Sequence, residues 1–290
     1  MYIGRRALLC AAGAGAAAVT AGLAGCGSLM RAAGMGADVA KMSGLAGSAS
    51  DGAQDQLAAI KDKGEMAFGT EGTWAPWTYH DESDELTGFD IEVARAVAER
   101  LGVSATFAEG EWDGLFAGLD SGRYDCVANG VSVTEERADK YDFTDPYAYN
   151  RTVVIVREDD DSIASFEDLD GKVTANTISS SYTQLAESFG ATVQGVDDLN
   201  QTIELLRSGR IDATLNDEVV FADYQREHPD SGLKVAAKSE DAVSVAFPLR
   251  AGEGSASLRK AMNAALADLR DDGTLAELSE RFFSLDITRG

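Results

Sequence analysis

The chain has 290 residues, 44% of them hydrophobic and 26% charged, which is the composition of an ordinary soluble protein of about two domains with an ample core. Its formal charge is −24, and beyond residue 26, where Arg5 and Arg6 drop out, 23 basic groups stand against 49 acidic ones, a net −26. So acidic a surface repels phosphate backbones and anionic headgroups, and this speaks against nucleic acid and polybasic-type membrane contact.

Residues 1–26 carry Arg5 and Arg6, then a weakly apolar run rich in Ala and Gly, then Leu23-Ala24-Gly25-Cys26. This is the pattern of an export signal rather than of a structural helix, and the run is too short and Gly-broken to span a bilayer. LAGC is similar to the lipobox of bacterial lipoproteins, which would make Cys26 a lipidated first residue; GRRALL resembles a twin-arginine signal more loosely. Residues 27–56, mostly Gly, Ala, Ser and Met, have little periodicity and suggest a flexible tether.

The folded body is expected from near Leu57, with a helix into Lys63 and Gly64 and then a first strand. The loop after that strand, Thr70 to Trp77, holds two of the three tryptophans, and an aromatic beside a Gly/Pro turn either floors a ligand site or plugs the core. Asp90 is expected to cap the next helix, whose Ile91, Ala94, Val97, Ala98 and Leu101 recur at helical spacing while Glu92, Arg95 and Glu99 form a solvated ladder.

The stretch Tyr124 to Tyr147 shows a short buried strand through Cys126, Val127 and Ala128, a small polar run with Asn129, Gly130, Ser132 and Thr134, and a helix start carrying Arg137. Backbone N–H groups, hydroxyls and a guanidinium brought to one spot suit a small carboxylate; the alternative is a surface turn with a solvated arginine. This stretch is echoed. LDSGRYDCVANG (Leu119 to Gly130) matches LRSGRIDATLND (Leu206 to Asp217), and MAFGTEGT (from Met66) is echoed more weakly by VTANTISS (from Val173). Repeated strand–loop–helix units imply two α/β lobes, with a ligand site in the cleft beyond the strand ends and with Gly130 and Asp217 at its two lips. Cys126, left alone once Cys10 and Cys26 are assigned to the signal and lipid, is expected to be a small core residue without a disulfide.

GFDIEVARAVAERL (Gly88 to Leu101), WDGLFAGLDSGRYDCVANGVSVTEER, YDFTDPY, DLDGKV and ADLRDDGTLAELSERFF together resemble the family 3 extracellular solute-binding proteins, receptors of polar amino acid ABC transporters. The resemblance covers nearly all of the chain from residue 57 and implies a type II periplasmic-binding-protein-like fold. In that fold 57–150 plus 247–290 would form one lobe and 151–246 the other, hinged near Tyr149 to Thr152 and Val245 to Leu249. It further implies an α-carboxylate site on Arg137, Ser132 and the backbone around Gly130, with Ser179 and Ser180 from the second lobe. The α-ammonium site falls on Asp217, the aromatic walls on Trp74 and Trp112, and Glu71 and Asn129 would face the ligand side chain. Ile178 stands where relatives usually have Gly. GTEGTWAPW and VANGV look most like the cystine-binding members.

Physics points the same way, because a buried zwitterion needs a partner for each charge, a guanidinium fork for the carboxylate and a carboxylate for the ammonium. The expected function is therefore a membrane-tethered, monomeric receptor that hands an amino acid to a permease, with no enzymatic activity, metal or cofactor. Two other functions remain open at this level. A cyclohexadienyl dehydratase-like enzyme on the same fold would use Glu71 as acid but lacks an identifiable second arginine, and a sensor module would need a transmembrane helix beyond Gly290. His80 and His228, the only histidines, sit in polar segments and are expected to be solvated.

Overall fold

Asp55 opens the described part of the chain, which in this computed structural model comprises residues 55–289; Cys26, the signal and nearly all of the tether lie outside it. The Asp55 side chain accepts from the Leu57 and Ala58 amides and caps α1 (Gln56–Lys63), which Gly64 ends in the left-handed conformation. In chain order there follow β1 (Glu65–Thr70), a small meander of β2 (Thr73–Trp74), β3 (Thr78–His80) and β4 (Leu86–Thr87), α2 (Phe89–Arg100), β5 (Ser104–Glu109), α3 (Trp112–Asp120), β6 (Cys126–Val127), α4 (Glu135–Ala138), β7 (Tyr141–Phe143) and β8 (Ala148–Asn150). After these come β9 (Thr152–Arg157), β10 (Val173–Asn176), α5 (Ser181–Ser188), β11 (Thr192–Gly195), α6 (Leu199–Arg207), β12 (Thr214–Asp217), α7 (Glu218–Glu227), β13 (Leu233–Lys238), β14 (Val243–Val245), β15 (Pro248–Arg250), α8 (Glu253–Asp271) and α9 (Thr274–Phe283).

Two sheets of the same design carry the two halves. The first runs β5-β1-β6-β15-β7. In the second, β10 pairs with β11, β9 lies between β12 and β13, and a parallel bridge from Thr174 to Ala213 joins the two pieces, giving β11-β10-β12-β9-β13. The connecting ribbon is β8 against β14, antiparallel through Asn150↔Val243 and Ala148↔Val245.

The echo in the sequence is the physical unit of this repeat. Gly122 and Gly209, each with φ of 70°, stop α3 and α6. In both, the following arginine amide bonds back to the helix, Arg123 to the Gly118 carbonyl and Arg210 to that of Leu205, which closes the helix end. Two residues later an aspartate clamps the first strand of its sheet: Asp125 accepts from the Ala67 amide at 2.9 Å and Asp212 from that of Val173 at 2.8 Å. These clamps pair Ala67 with Val173, one residue later than the sequence echo of MAFGTEGT and VTANTISS suggests. A β-strand period tolerates no such slip, because one residue exchanges the two faces.

Packing follows the same division. Ile91, Ala94, Val97 and Ala98 of α2 are fully buried, and the last three form with Met66, Phe68, Phe247, Met262 and Leu266 the core between the first sheet and the terminal helices. The second sheet is buried on both faces, Val153, Ile155 and Phe221 on one and Val154, Val156 and Leu215 on the other. That explains the continuous apolar run of β9. Cys126 is a free, fully buried thiol pushed well up by burial, as a core residue should be.

One expectation fails. Asp90 does not cap α2; Gly88, at φ 125°, holds the cap position, and its missing Cβ lets the chain pass the Trp77 backbone. Asp90 is instead wholly buried beneath the loop at Gly130.

Candidate functional site

The carboxyl ends of β1, β6, β10 and β12 meet at one cavity, with a volume of about 60 Å³ for the centres of water-sized spheres. Eight expected residues line it: Glu71, Trp74, Trp112, Asn129, Gly130, Ser132, Arg137 and Ser180. The repeat explains residues that sequence reasoning missed. Asn216 occupies in the second sheet the place of Asn129 in the first, and Leu199, opening α6, the place of Trp112, opening α3. Asn176 likewise ends β10, and Thr177 follows it, as Thr70 ends β1 and Glu71 follows, once the register is shifted by one. The echo was therefore the signal that could have found them, whereas Tyr182 and Asp198 left no such trace.

Arg137 supplies the only cationic side chain among the described cavity-lining residues. Thr134 caps α4 by accepting from the Arg137 amide, which turns the side chain back over the loop. Its Nη1 donates to the Ser132 carbonyl at 3.0 Å and Nη2 to the Ser179 carbonyl at 3.3 Å, while the guanidinium carbon lies 5.1 Å from the Trp112 ring centroid and 5.4 Å from that of Phe116. Among the described residues it forms no ion pair with a carboxylate, although burial pulls its pKa down. A desolvated cation held between rings and carbonyls, with no carboxylate paired to it among the described residues, can receive an anion.

The opposite polarity lies deeper. Burial pushes the Glu71 carboxyl up to about 7, the Asn129 carboxamide pulls the other way, and Asp198 and Asp113 reinforce the rise. Asn129 is fully buried and locked: its Oδ1 accepts from the Glu71 amide at 2.7 Å and from Thr70 Oγ1, and its Nδ2 donates to Glu71 Oε2 at 2.5 Å. Asp217 is buried next to Asn216 rather than among the cavity-lining residues, and burial drives its carboxyl up to about 7 against the Tyr182 hydroxyl, which donates to it at 2.5 Å. Among the described residues two lining atoms are buried without partners, Trp112 Nε1 as a donor and Asn176 Oδ1 as an acceptor. Native interiors rarely leave such groups unmatched unless something else meets them.

The remaining expected residues separate by role. Trp74 stacks on Trp77 at 6.0 Å and faces the cavity, while Trp77 is fully buried and packs on Phe89 and Phe283. Ser180 caps α5, its Oγ accepting from the Thr183 amide. Ser179 is exposed and lies outside the cavity lining; its Oγ donates to Asp113 at 2.5 Å and its amide to the same oxygen at 3.2 Å. Ile178 keeps an ordinary negative φ and leans on Gly195, so the residue found where relatives usually have Gly is accommodated without backbone strain. His80 is bonded to Glu109 at 2.9 Å on the surface rather than standing free in solvent.

Residues 66–285 match the family of bacterial extracellular solute-binding proteins, family 3. The chain belongs to that family. It is 44% identical over 224 residues to a probable amino-acid ABC transporter-binding protein of Haemophilus influenzae, covering 77% of this chain and 86% of the relative. With the L-cystine-binding protein TcyA of Bacillus subtilis it shares 41% over 236 residues, 81% of this chain and 87% of that one. Among solved structures, an ancestral arginine-binding protein bound to arginine superposes with a TM-score of 0.71 at 34% identity, covering 76% of this chain and 98% of that chain. The L-cystine solute receptor of Neisseria gonorrhoeae in its unliganded open conformation superposes with a TM-score of 0.56 at 39% identity, covering 81% and 99%. The fold is thus that of type II periplasmic amino-acid-binding proteins.

Proposed function

We propose that the protein is the extracytoplasmic receptor of an ABC transporter and captures an L-amino acid between its two lobes, 57–150 with 247–290 on one side and 151–246 on the other. The observation that carries this reading is Arg137, a desolvated guanidinium with no carboxylate partner among the described residues, lining a cavity whose other charged lining groups are acids. The α-carboxylate would fork onto Arg137, with Ser132 and Ser180 beside it, and the α-ammonium would turn toward Asp217. Asp217, like Ser179, does not line the cavity, so its contact requires the ligand to reach past Asn216. Glu71, Trp74 and Asn129 would face the side chain. Kinship with the cystine-binding TcyA supports cystine as ligand. Cys26 would carry the lipid that tethers the monomer to the outer face of the membrane, where it would meet its permease.

The conformation suits a closed receptor. The better superposition is with the arginine-bound ancestral protein, despite its lower identity, rather than with the open cystine receptor. Hydrogen bonds also cross the rim, from Ser179 to Asp113 and from Gln184 to Glu136. Calorimetry of the mature chain with a panel of amino acids, cystine included, is the test. Micromolar or tighter binding of at least one is expected; turnover of prephenate or arogenate, or no binding across the panel, would sink the receptor reading.

A further inference from the structure

Asp90 is an acid where packing alone calls for none. It lies in the first turn of α2, fully buried, beside Phe89 and Ile91, which are buried as well. Burial pushes its carboxyl up to about 7, and among the described residues Oδ1 finds no hydrogen-bond donor. An apolar residue would fill this place at less cost, so the carboxylate needs a use that offsets its desolvation.

Its contacts give that use. Oδ2 accepts from the Gly130 amide at 2.5 Å and from the Tyr147 hydroxyl at 2.8 Å. Gly130 lines the cavity at φ 56°, a left-handed turn, and a Cβ there would stand 2.7 Å from Trp74 Cζ3 and 2.9 Å from Trp77 Cδ2. Its N–H is therefore spent inside the protein, on Asp90, so any contribution of the backbone around Gly130 to a carboxylate site would have to come from its neighbours. What the loop offers the cavity is its shape: a bare Cα against two indoles, with the Asn129 carboxamide fixed next to it. Tyr147 ties the same carboxylate to the ribbon, since its own amide bonds to the Val245 carbonyl at 3.0 Å.

We propose that Asp90 is a positioning residue for ligand binding, holding the Gly130 peptide from below in the turn that shapes the cavity floor between Trp74 and Asn129. The inference rests on the amino-acid-receptor reading only for the choice of ligand.

The test uses the mature chain, with Asp90→Leu and Asp90→Asn, L-cystine and L-arginine as calorimetric probes, and proton–nitrogen NMR of the ligand-free protein. In the wild type the Gly130 amide should resonate far downfield and exchange slowly, as a short bond to a buried carboxylate demands. Asp90→Leu should shift that resonance upfield and weaken whichever probe binds by about tenfold or more, the scale of a lost charge-assisted hydrogen bond. Asp90→Asn should restore most of the loss, because its carboxamide oxygen can accept the same N–H. An Asp90→Leu protein that melts cooperatively and binds within about threefold of wild type would overturn the proposal, threefold being below the effect of a modest lost hydrogen bond. So would a wild-type Gly130 amide that exchanges as freely as an exposed loop glycine, and that measurement stands even if Asp90→Leu does not fold. If neither probe binds the wild type, the receptor reading is what suffers, while the Gly130 signature still supports or overturns the positioning role on its own.

Discussion

Arg137 is the residue on which general affinity should depend, because every α-amino acid brings the same carboxylate. Arg137→Ala is expected to weaken all ligands together by roughly 30-fold to a few thousand-fold, the 2 to 5 kcal/mol typical of truncating one side of a buried charge pair. Arg137→Lys should also be costly, since an ammonium cannot form the bidentate fork and stacks less well on Trp112. Glu71→Gln, Asn129→Ser and Trp74→Ala should instead reorder preferences among neutral, cationic and disulfide-containing amino acids. Titration calorimetry on the five variants separates the two classes; an Arg137→Ala protein with a changed ranking but nearly unchanged best affinity would contradict the carboxylate assignment. Proton coupling adds a check. A ligand ammonium favours the ionised form of Asp217, whose carboxyl is otherwise pushed up to about 7, so binding near pH 6 should release protons and affinity should rise from pH 5 to pH 8. Calorimetry in buffers of different ionisation enthalpy reads the released proton directly.

At the scale of elements, the rim contacts join α3 and α4 to α5 and its preceding loop through Asp113–Ser179 and Glu136–Gln184, none of whose side chains lines the cavity. Asp113→Ala removes both exposed bonds from Ser179 and should cost about 1 kcal/mol of closure or more, about 5-fold or more in affinity, without altering the ranking of ligands. Dissociation should quicken more than association slows. Stopped-flow kinetics decides this, and a changed ranking would mean that Asp113 touches the ligand. Element identity was largely legible beforehand: the strand into Gly130, the buried stripe of α2 and the two SGR turns all stand as their patterns suggest. The weaker echo was misaligned by one residue because side-chain type alone does not fix register; the aspartate clamps from Asp125 and Asp212 do, and they act between strands far apart in sequence.

For the whole molecule, ligand bound between the lobes should favour closure, so small-angle scattering is expected to show a smaller radius of gyration with ligand than without. An unchanged radius would mean either a ligand-free form already held shut by the rim or a ligand that does not bridge the lobes, and Asp113→Ala distinguishes these by opening only the first. Stability should also depend on pH in a definite sense. Glu71, Asp90 and Asp217 have carboxyls pushed up to about 7 by burial, whereas an unfolded chain ionises them near pH 4. The penalty for ionising them in the folded state is absent below about pH 4 and complete above about pH 7, so stability falls across that window, the reverse of a salt-bridged carboxylate. The ligand-free protein should melt lower at pH 8 than at pH 5, with the slope reduced in Asp90→Asn. A melting temperature that rises over this range would contradict those burials.

By itself the sequence determined the family, the two α/β units and about half of the cavity lining, because signature residues, apolar periodicity and the repeated helix-stopping glycines are local and readable one segment at a time. Only the tertiary structure decided which polar residues spend their groups on each other. Asp90 reads as a helix cap and proves to be a buried acceptor under Gly130; Ser179 reads as a ligand residue and bonds to Asp113; Asp217 sits behind Asn216 against Tyr182. The reason is physical: a carboxyl or hydroxyl has the same chemistry at a cap, in a cavity or across a rim, and what separates these roles is desolvation and a partner within about 3 Å, set by chain folding between residues 35 to 66 apart.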